Sequence, residues 1–245
     1  MNDTRSDTSK VALITGANRG IGLETARELG ERGIRLVLGS RDRAKGEAAA
    51  ALLRAKGMTA EAIGLDVTRS ADHAAAHAHI AARYGRLDIL INNAGILRPD
   101  PSSLLAPAEL REVFDTNFFA VVELTRVLMP LLLKAPAARI VNVSSIVGSL
   151  TLHTDPTSRI YKDKKFSYDA SKTALNAYTV HLAHELRETP IKVNSADPGW
   201  VKTEMGGPHA IMELSEGGKT TARLATLPAD GPTGGFFRLE EAFPW

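Results

Sequence analysis

A short apolar run followed by a stretch of helical length recurs along this chain, first at Val11-Ala12-Leu13-Ile14-Thr15 and again at Ile34 to Gly39, Ala60 to Leu65, Leu87 to Ile91, Arg139 to Val143 and Ile191 to Ser195. Runs this short, apolar on successive rather than alternate residues, suit strands buried on both faces. The intervening segments are long enough for crossover helices, so parallel strands joined by right-handed crossovers are the economical solution. The repeat predicts an α/β fold: a doubly wound parallel sheet of about seven strands with helices on both faces. At 245 residues the chain has the length of one such domain, 1–245, with a polar tail expected to be disordered over 1–9.

Between the first strand and a helix expected from Ile21 to Gly33 stands Thr15-Gly16-Ala17-Asn18-Arg19-Gly20-Ile21-Gly22. Glycines there let the backbone turn tightly and approach a pyrophosphate, while the amides and dipole of the next helix attract its charge. A glycine-rich turn with no ligand is the alternative. The strand before and the helix after favour a Rossmann-type dinucleotide site at Gly16, Asn18, Arg19, Gly20, Ile21 and Gly22.

The end of the second strand decides which dinucleotide fits, because an acid there holds the ribose 2′-hydroxyl of NAD and an arginine accommodates a 2′-phosphate. It reads Gly39-Ser40-Arg41-Asp42, with Ser40 in the acid's place, Arg41 able to pair with phosphate, and Arg19 able to add a second positive contact. NADP(H) is therefore favoured, and Asp42 reads as the N-cap of a helix from about Arg43 to Lys56. The third strand leads into Asp66-Val67-Thr68, where Asp66 can accept from the adenine amino group or cap the next helix, a task Thr68 or Ser70 could equally perform. That helix carries His73, His77 and His79. No third ligand or supporting acid accompanies them, so they read as solvated helix residues and no metal is expected.

The fourth strand ends in Asn92-Asn93-Ala94-Gly95, at the carboxyl edge where doubly wound sheets bind ligands, so Asn93, Ala94 and Gly95 fall on a dinucleotide's path. Pro107 suits the first turn of a long helix continuing to about Lys134, within which Asn117 is either a polar misfit or part of a proton path. Ser144-Ser145 closes the fifth strand, and a serine hydroxyl beside a phenol can hold a substrate oxygen; no His and Asp are placed to make it a nucleophile. The phenol is Tyr168, in Tyr168-Asp169-Ala170-Ser171-Lys172. Four apart on a helix, Tyr168 and Lys172 share a face. A fixed cation favours the phenolate, so the pair predicts a phenol pKa drawn down from about 10 and fit to give or take a proton.

Lys plus Arg number 30 against 28 Asp plus Glu, and the net charge of +2 gives no reason to expect nucleic acid or an acidic membrane surface as a partner. The absence of cysteine removes disulfides, thiolate catalysis and Cys-based zinc sites. The run Val11 to Ile14 is too short for a signal core or membrane span, and a cytoplasmic protein is expected.

In order, Thr15-Gly-x-x-x-Gly20-x-Gly22, Asn92-Asn-Ala-Gly95, Asn117, Ser145, Tyr168-x-x-x-Lys172 and Pro198-Gly199 resemble the single-domain branch of the short-chain dehydrogenase/reductase family. Within it, Pro198 to Thr203 and the tail Asp230 to Phe237 with Pro244-Trp245 resemble NADPH-dependent carbonyl reductases. The resemblance implies hydride transfer from NADPH to an apolar ketone, aldehyde or quinone, with Tyr168 as general acid. It also implies Lys172 on the nicotinamide ribose, Ser145 orienting the carbonyl, Asn117 holding a water that reloads the proton, and Pro198, Gly199, Val201 and Thr203 at the cofactor. A secondary-alcohol dehydrogenase running oxidatively and a non-catalytic dinucleotide sensor are the alternatives.

Two segments stand apart. The stretch 146–167 is longer than most of the family show; in some carbonyl reductases an insertion here leaves a monomer, where a homodimer or homotetramer would otherwise be expected. The stretch 204–227 contains Gly206-Gly207-Pro208, a plausible hinge for a substrate lid. Ile96, Leu97, Ile146, Leu150, Trp200, Met205 and Met212 are candidates to line an apolar pocket or to be plain core. Tyr161 is a rival phenol without a lysine four residues later.

Overall fold

The apolar runs become strands because each can be covered on both sides. The computed structural model describes residues 9–98 and 105–245, so the tail expected over 1–9 lies, except for Ser9, outside the described residues. The strands are β1 (Val11–Thr15), β2 (Arg35–Ser40), β3 (Ala60–Gly64), β4 (Ile89–Asn92), β5 (Arg139–Val143), β6 (Lys192–Ala196), β7 (Phe236–Arg238) and β8 (Glu241–Ala242). They form one sheet in the order β3-β2-β1-β4-β5-β6-β7-β8. Strands β1 to β7 pair in parallel, and the two-residue β8 turns back antiparallel on β7.

Alternation along β1 shows how the two layers arise. Val11 and Leu13 join a cluster with α3 (Ser70–Tyr84), α5 (Ala120–Leu132) and α7 (Phe166–Glu185), while Ala12 and Ile14 join one with α1 (Gly20–Gly30), α2 (Arg43–Ala55) and α9 (Lys219–Ala225). Each Leu or Ile so buried contributes about 1.5–3 kcal/mol relative to exposure. At the amino edge of the sheet, Arg139 at the start of β5 is buried, and its guanidinium donates to the carbonyls of Leu227, Ala137, Ala138, Pro190 and Pro228.

Local chemistry explains several boundaries and overturns some expectations. Asp42 caps α2 by accepting from Lys45 N at 3.1 Å. None of Asp66, Thr68 or Ser70 caps α3; Asp66 Oδ1 instead accepts from the N–H and hydroxyl of Thr68, closing a local turn. His73 is buried, not solvated. It lies on the same face as Ala76 and Ile80, the face that meets the sheet, and its Nε2 bonds the Val67 carbonyl at 2.7 Å.

The helix expected from Pro107 to Lys134 is interrupted. It comprises α4 (Pro107–Phe114) and α5, joined by a π-turn over Asp115–Phe119 that carries Asn117 into the interior. In 204–227, the part from 219 onward is core, since Ala222, Leu224 and Ala225 are fully buried beneath α1 and the sheet. Only the portion before α8 (Leu214–Gly217) stands clear, with Met205 and Ile211 exposed. The insertion forms α6 (Leu150–Thr154) and a series of turns. Among the described residues no helix is long and apolar enough to cross a membrane, and no group of three or more His, Cys, Asp or Glu is placed to hold a metal.

Candidate active site

The carboxyl edge of the sheet gathers the motifs. The turn between β1 and α1 is locked to the end of β4: Thr15 Oγ1 accepts from the N–H groups of Asn93 and Ala94, each at 2.9 Å, and Asn93 Nδ2 donates back to Thr15 O at 2.8 Å. Glycine is required at two points. Gly16 has φ +65°, in the left-handed region, and a Cβ on Gly22 would lie 2.5 Å from Asn93 Nδ2 and 2.6 Å from Gly16 O. The helix behind has no side-chain cap at Arg19 and no acid in its first turn. Its amides and positive dipole end face a cradle too tight for any side chain, which suits a pyrophosphate.

Segment 198–203 crosses this turn. Gly199 takes φ +85°, Val201 is buried against Gly217 and Ile21, and Thr203 Cγ2 comes within 3.7 Å of the Cβ position of Gly20. Arg19 pairs with Glu204 at the surface rather than standing free. At the other end of the groove Ser40 is buried and donates to the Asp42 carbonyl at 2.7 Å, so no carboxylate occupies the strand end and Arg41 is exposed beside Asp66. Asp66 lies below the usual carboxylate range; burial opposes this, but the Thr68 hydrogen bonds and the charges of Arg41 and Arg69 outweigh it.

Helix α7 brings Tyr168 and Lys172 to the end of β5. Lys172 Nζ lies 5.5 Å from the centroid of the Tyr168 ring and donates to the Val143 carbonyl at 2.8 Å. The Ser145 hydroxyl hydrogen-bonds the Tyr168 oxygen. Ser144 is buried, as a residue facing the sheet must be. Asn117 braces the cluster: its Nδ2 donates to Ile96 O at 2.9 Å and Ser171 Oγ at 3.0 Å, and its Oδ1 accepts from Ile96 N at 2.8 Å.

The expected lowering of the phenol is reversed. Burial, followed by the charges of Asp197 and Asp169, pushes Tyr168 well above the ordinary phenol range against the Ser145 hydrogen bond. The cation lies 5.5 Å from the ring centroid and donates to the Val143 carbonyl, and it is itself weakened: burial brings Lys172 down to about 8. Tyr168 thus holds its proton at neutral pH, the state a proton donor needs.

The depressed Lys172 has a measurable consequence. Between roughly pH 8 and 10 the unfolded chain, with lysine near 10.5, binds more protons than the folded one, so stability rises with pH there, by about 2 kcal/mol. Above about pH 10 the raised Tyr168 acts in the opposite sense. Urea denaturation of the native protein and of Lys172→Met should diverge across that window; parallel curves would contradict the burial of the amine.

Of the pocket candidates, Ile146 lines a cleft of about 260 Å³ with Leu152, Ser158, Arg159 and 241–244. Leu150, Trp200 and Met205 are exposed, and Met212 packs on Gly199. Tyr161 is exposed on the insertion, beside Lys164 instead of the Ser145 hydroxyl. Sequence reasoning passed over Asp197, buried at the end of β6, and its partner Arg238 on β7. An acid placed directly after a buried strand, at the edge where the site lies, was the signal available.

The model of the short chain dehydrogenase family matches residues 10–213, and the chain belongs to that family of oxidoreductases. Carbonyl reductase [NADPH] 1 of Rattus norvegicus is 32% identical over 96% of this chain and 98% of its own length. Short-chain dehydrogenase/reductase 1 of Saponaria officinalis is 32% identical over 96% of each chain. Among solved structures, NADPH-bound carbonyl reductase from chicken fatty liver matches with TM-score 0.85 at 32% identity, covering 97% of this chain and 99% of that one.

Proposed function

We propose that this protein is an NADP(H)-dependent reductase of apolar ketones, aldehydes or quinones, with Tyr168 as the proton donor. The observation that carries the reading is the meeting of Ser145, Tyr168 and Lys172 beside the glycine cradle of β1 and α1. The cradle, with the uncapped start of α1, would hold the pyrophosphate; Arg41 and Arg19 would meet the 2′-phosphate, and Asp66 with Val67 the adenine. Asn93, Ala94, Gly95, Pro198, Gly199, Val201 and Thr203 would complete the walls, and Lys172 would hold the nicotinamide ribose. Bound there, the reduced nicotinamide supplies hydride to the substrate carbon.

The residues of this chain do the rest. Ser145 orients the carbonyl oxygen, and its hydroxyl and that of Tyr168 stabilise the negative charge that develops on it, an interaction stronger in the transition state than before. Tyr168 then gives its proton to that oxygen. Donation in this direction needs the protonated phenol, and burial keeps Tyr168 protonated. Trp200, Met205 and Ile211, exposed beyond the carboxyl edge, support an apolar substrate held under the clear part of 204–227.

Purified protein should consume NADPH, followed at the nicotinamide absorbance band, when given a panel of aromatic and alicyclic carbonyls. Tight NADPH binding without turnover of any of them would instead favour a sensor. Arg41→Asp should cut the preference for NADPH over NADH, as the ratio of kcat/KM values, by at least about tenfold through loss of a charged hydrogen bond; an unchanged ratio would remove Arg41 from phosphate recognition.

A further inference from the structure

We propose that the ion pair of buried Asp197 and partly buried Arg238 is a positioning element of the reductase site, fixing the corner that carries Ser145 and shaping the charge around Tyr168. The proposal rests on the reading of Tyr168 as proton donor.

The pair follows from strand order. β6 and β7 are parallel neighbours, with Ala196 opposite Phe237, so the residues just beyond, Asp197 and Arg238, emerge side by side at the carboxyl edge. Arg238 Nε donates to Asp197 Oδ2 at 2.6 Å, and Nη2 reaches the same oxygen. The remaining oxygen, Oδ1, accepts from Ile146 N at 3.0 Å. Asp197 is only 1% exposed, and a carboxylate so buried is tolerable when both oxygens are engaged and a cation stands beside it.

Each bond has a consequence at the site. Ile146 follows Ser145 directly, so its N–H, held by Asp197, fixes the backbone from which the Ser145 hydroxyl reaches Tyr168. Arg238 is in turn covered by the Phe243 ring, 5.5 Å away, and that ring meets Phe236 edge-on at 5.4 Å. The Asp197 charge is also among those holding the phenol up. The other groups around Tyr168 are Asp169 and Lys172 on its own helix and Ser145 from the turn after β5; His153 of α6 stands 3.4 Å from Asp169.

Asp197→Asn keeps the shape and an acceptor for Ile146 N–H while removing the charge. The onset of the tyrosinate absorbance belonging to Tyr168, taken by difference from the matching Tyr168→Phe protein, should come at lower pH in Asp197→Asn than in the wild-type protein; an onset that stays in place overturns the proposal. Arg238→Met should lower kcat about tenfold through a loosened Ser145 corner, with KM for NADPH unchanged, and Arg238→Lys should recover most of the loss. A loss confined to KM for NADPH, or one that Arg238→Lys leaves unrecovered at wild-type melting temperature, counts against it. Should Arg238→Met fail to fold, the doubly neutral Asp197→Asn/Arg238→Met takes its place, with the same fall in kcat expected and wild-type kcat as the contrary result. Full activity in Tyr168→Phe would instead overturn the proton-donor reading itself, a result separate from an inactive Tyr168→Phe beside an Asp197→Asn onset like the wild type.

Discussion

Tyr168→Phe is expected to lower kcat/KM for carbonyl reduction by about a thousandfold, within the range for loss of a positioned proton donor. The ring stays, and with it the packing of α7 against the end of β5; only the oxygen bonded to Ser145 goes. NADPH affinity, read from the quenching or enhancement of its fluorescence, should change by no more than about twofold, because the glycine cradle and Arg41 do not touch the phenol. Lost turnover with intact binding assigns the effect to the transition state. Activity within about tenfold of the wild type would remove Tyr168 from the mechanism, and Tyr161, exposed on the insertion, is not placed to substitute for it.

The second large effect lies at the opposite edge of the sheet and concerns stability alone. Arg139→Met should cost about 4 kcal/mol, since it withdraws a buried guanidinium from the carbonyls of Leu227, Ala137 and Pro190, while those of Ala138 and Pro228 keep the N–H groups of Lys192 and Gly231. For a chain of this length that corresponds to a melting temperature lower by roughly 10 °C. Burial already pulls the Arg139 pKa down, and among the described residues its partners are backbone carbonyls, with no carboxylate paired to it. Calorimetry and an activity assay well below the melting temperature separate the outcomes. Unchanged melting would show that water satisfies those carbonyls, and lost activity at low temperature would show a link across the sheet that its geometry does not contain.

What could be read from the residues, and what could not, divides along physical lines. β1 was legible because a strand covered on both sides is apolar on successive residues, as Val11 to Ile14 is, and the later strands followed from shorter apolar runs recurring at helix-length spacing. The glycine turn was legible because Gly16 and Gly22 answer to local sterics. Asn117 was singled out as an amide among phenylalanines, but its role as a brace between Ile96 and Ser171 depends on a π-turn, and no spacing rule announces one. The phenol's direction of shift was misjudged because the Tyr168 and Lys172 pair is local, whereas Asp197 comes from another strand and burial comes from the whole fold. His73 was misread for a similar reason: imidazole composition says solvent, and the face it shares with Ala76 and Ile80 says core. The hydrogen bond from Ser40 to the Asp42 carbonyl was not legible, because it depends on how the chain turns after β2.

The π-turn over Asp115–Phe119 also makes the chemistry depend on a count of residues. A wide turn holds one residue more than a regular one, and each residue of a helix advances the winding by about 100°. Deleting a single residue between α4 and α5 would therefore restore an ordinary spiral while swinging Asn117 a quarter turn or more away from Ile96. Every functional side chain would still be present in such a variant, and the assembly around Ser171 and Lys172 would nevertheless be out of phase.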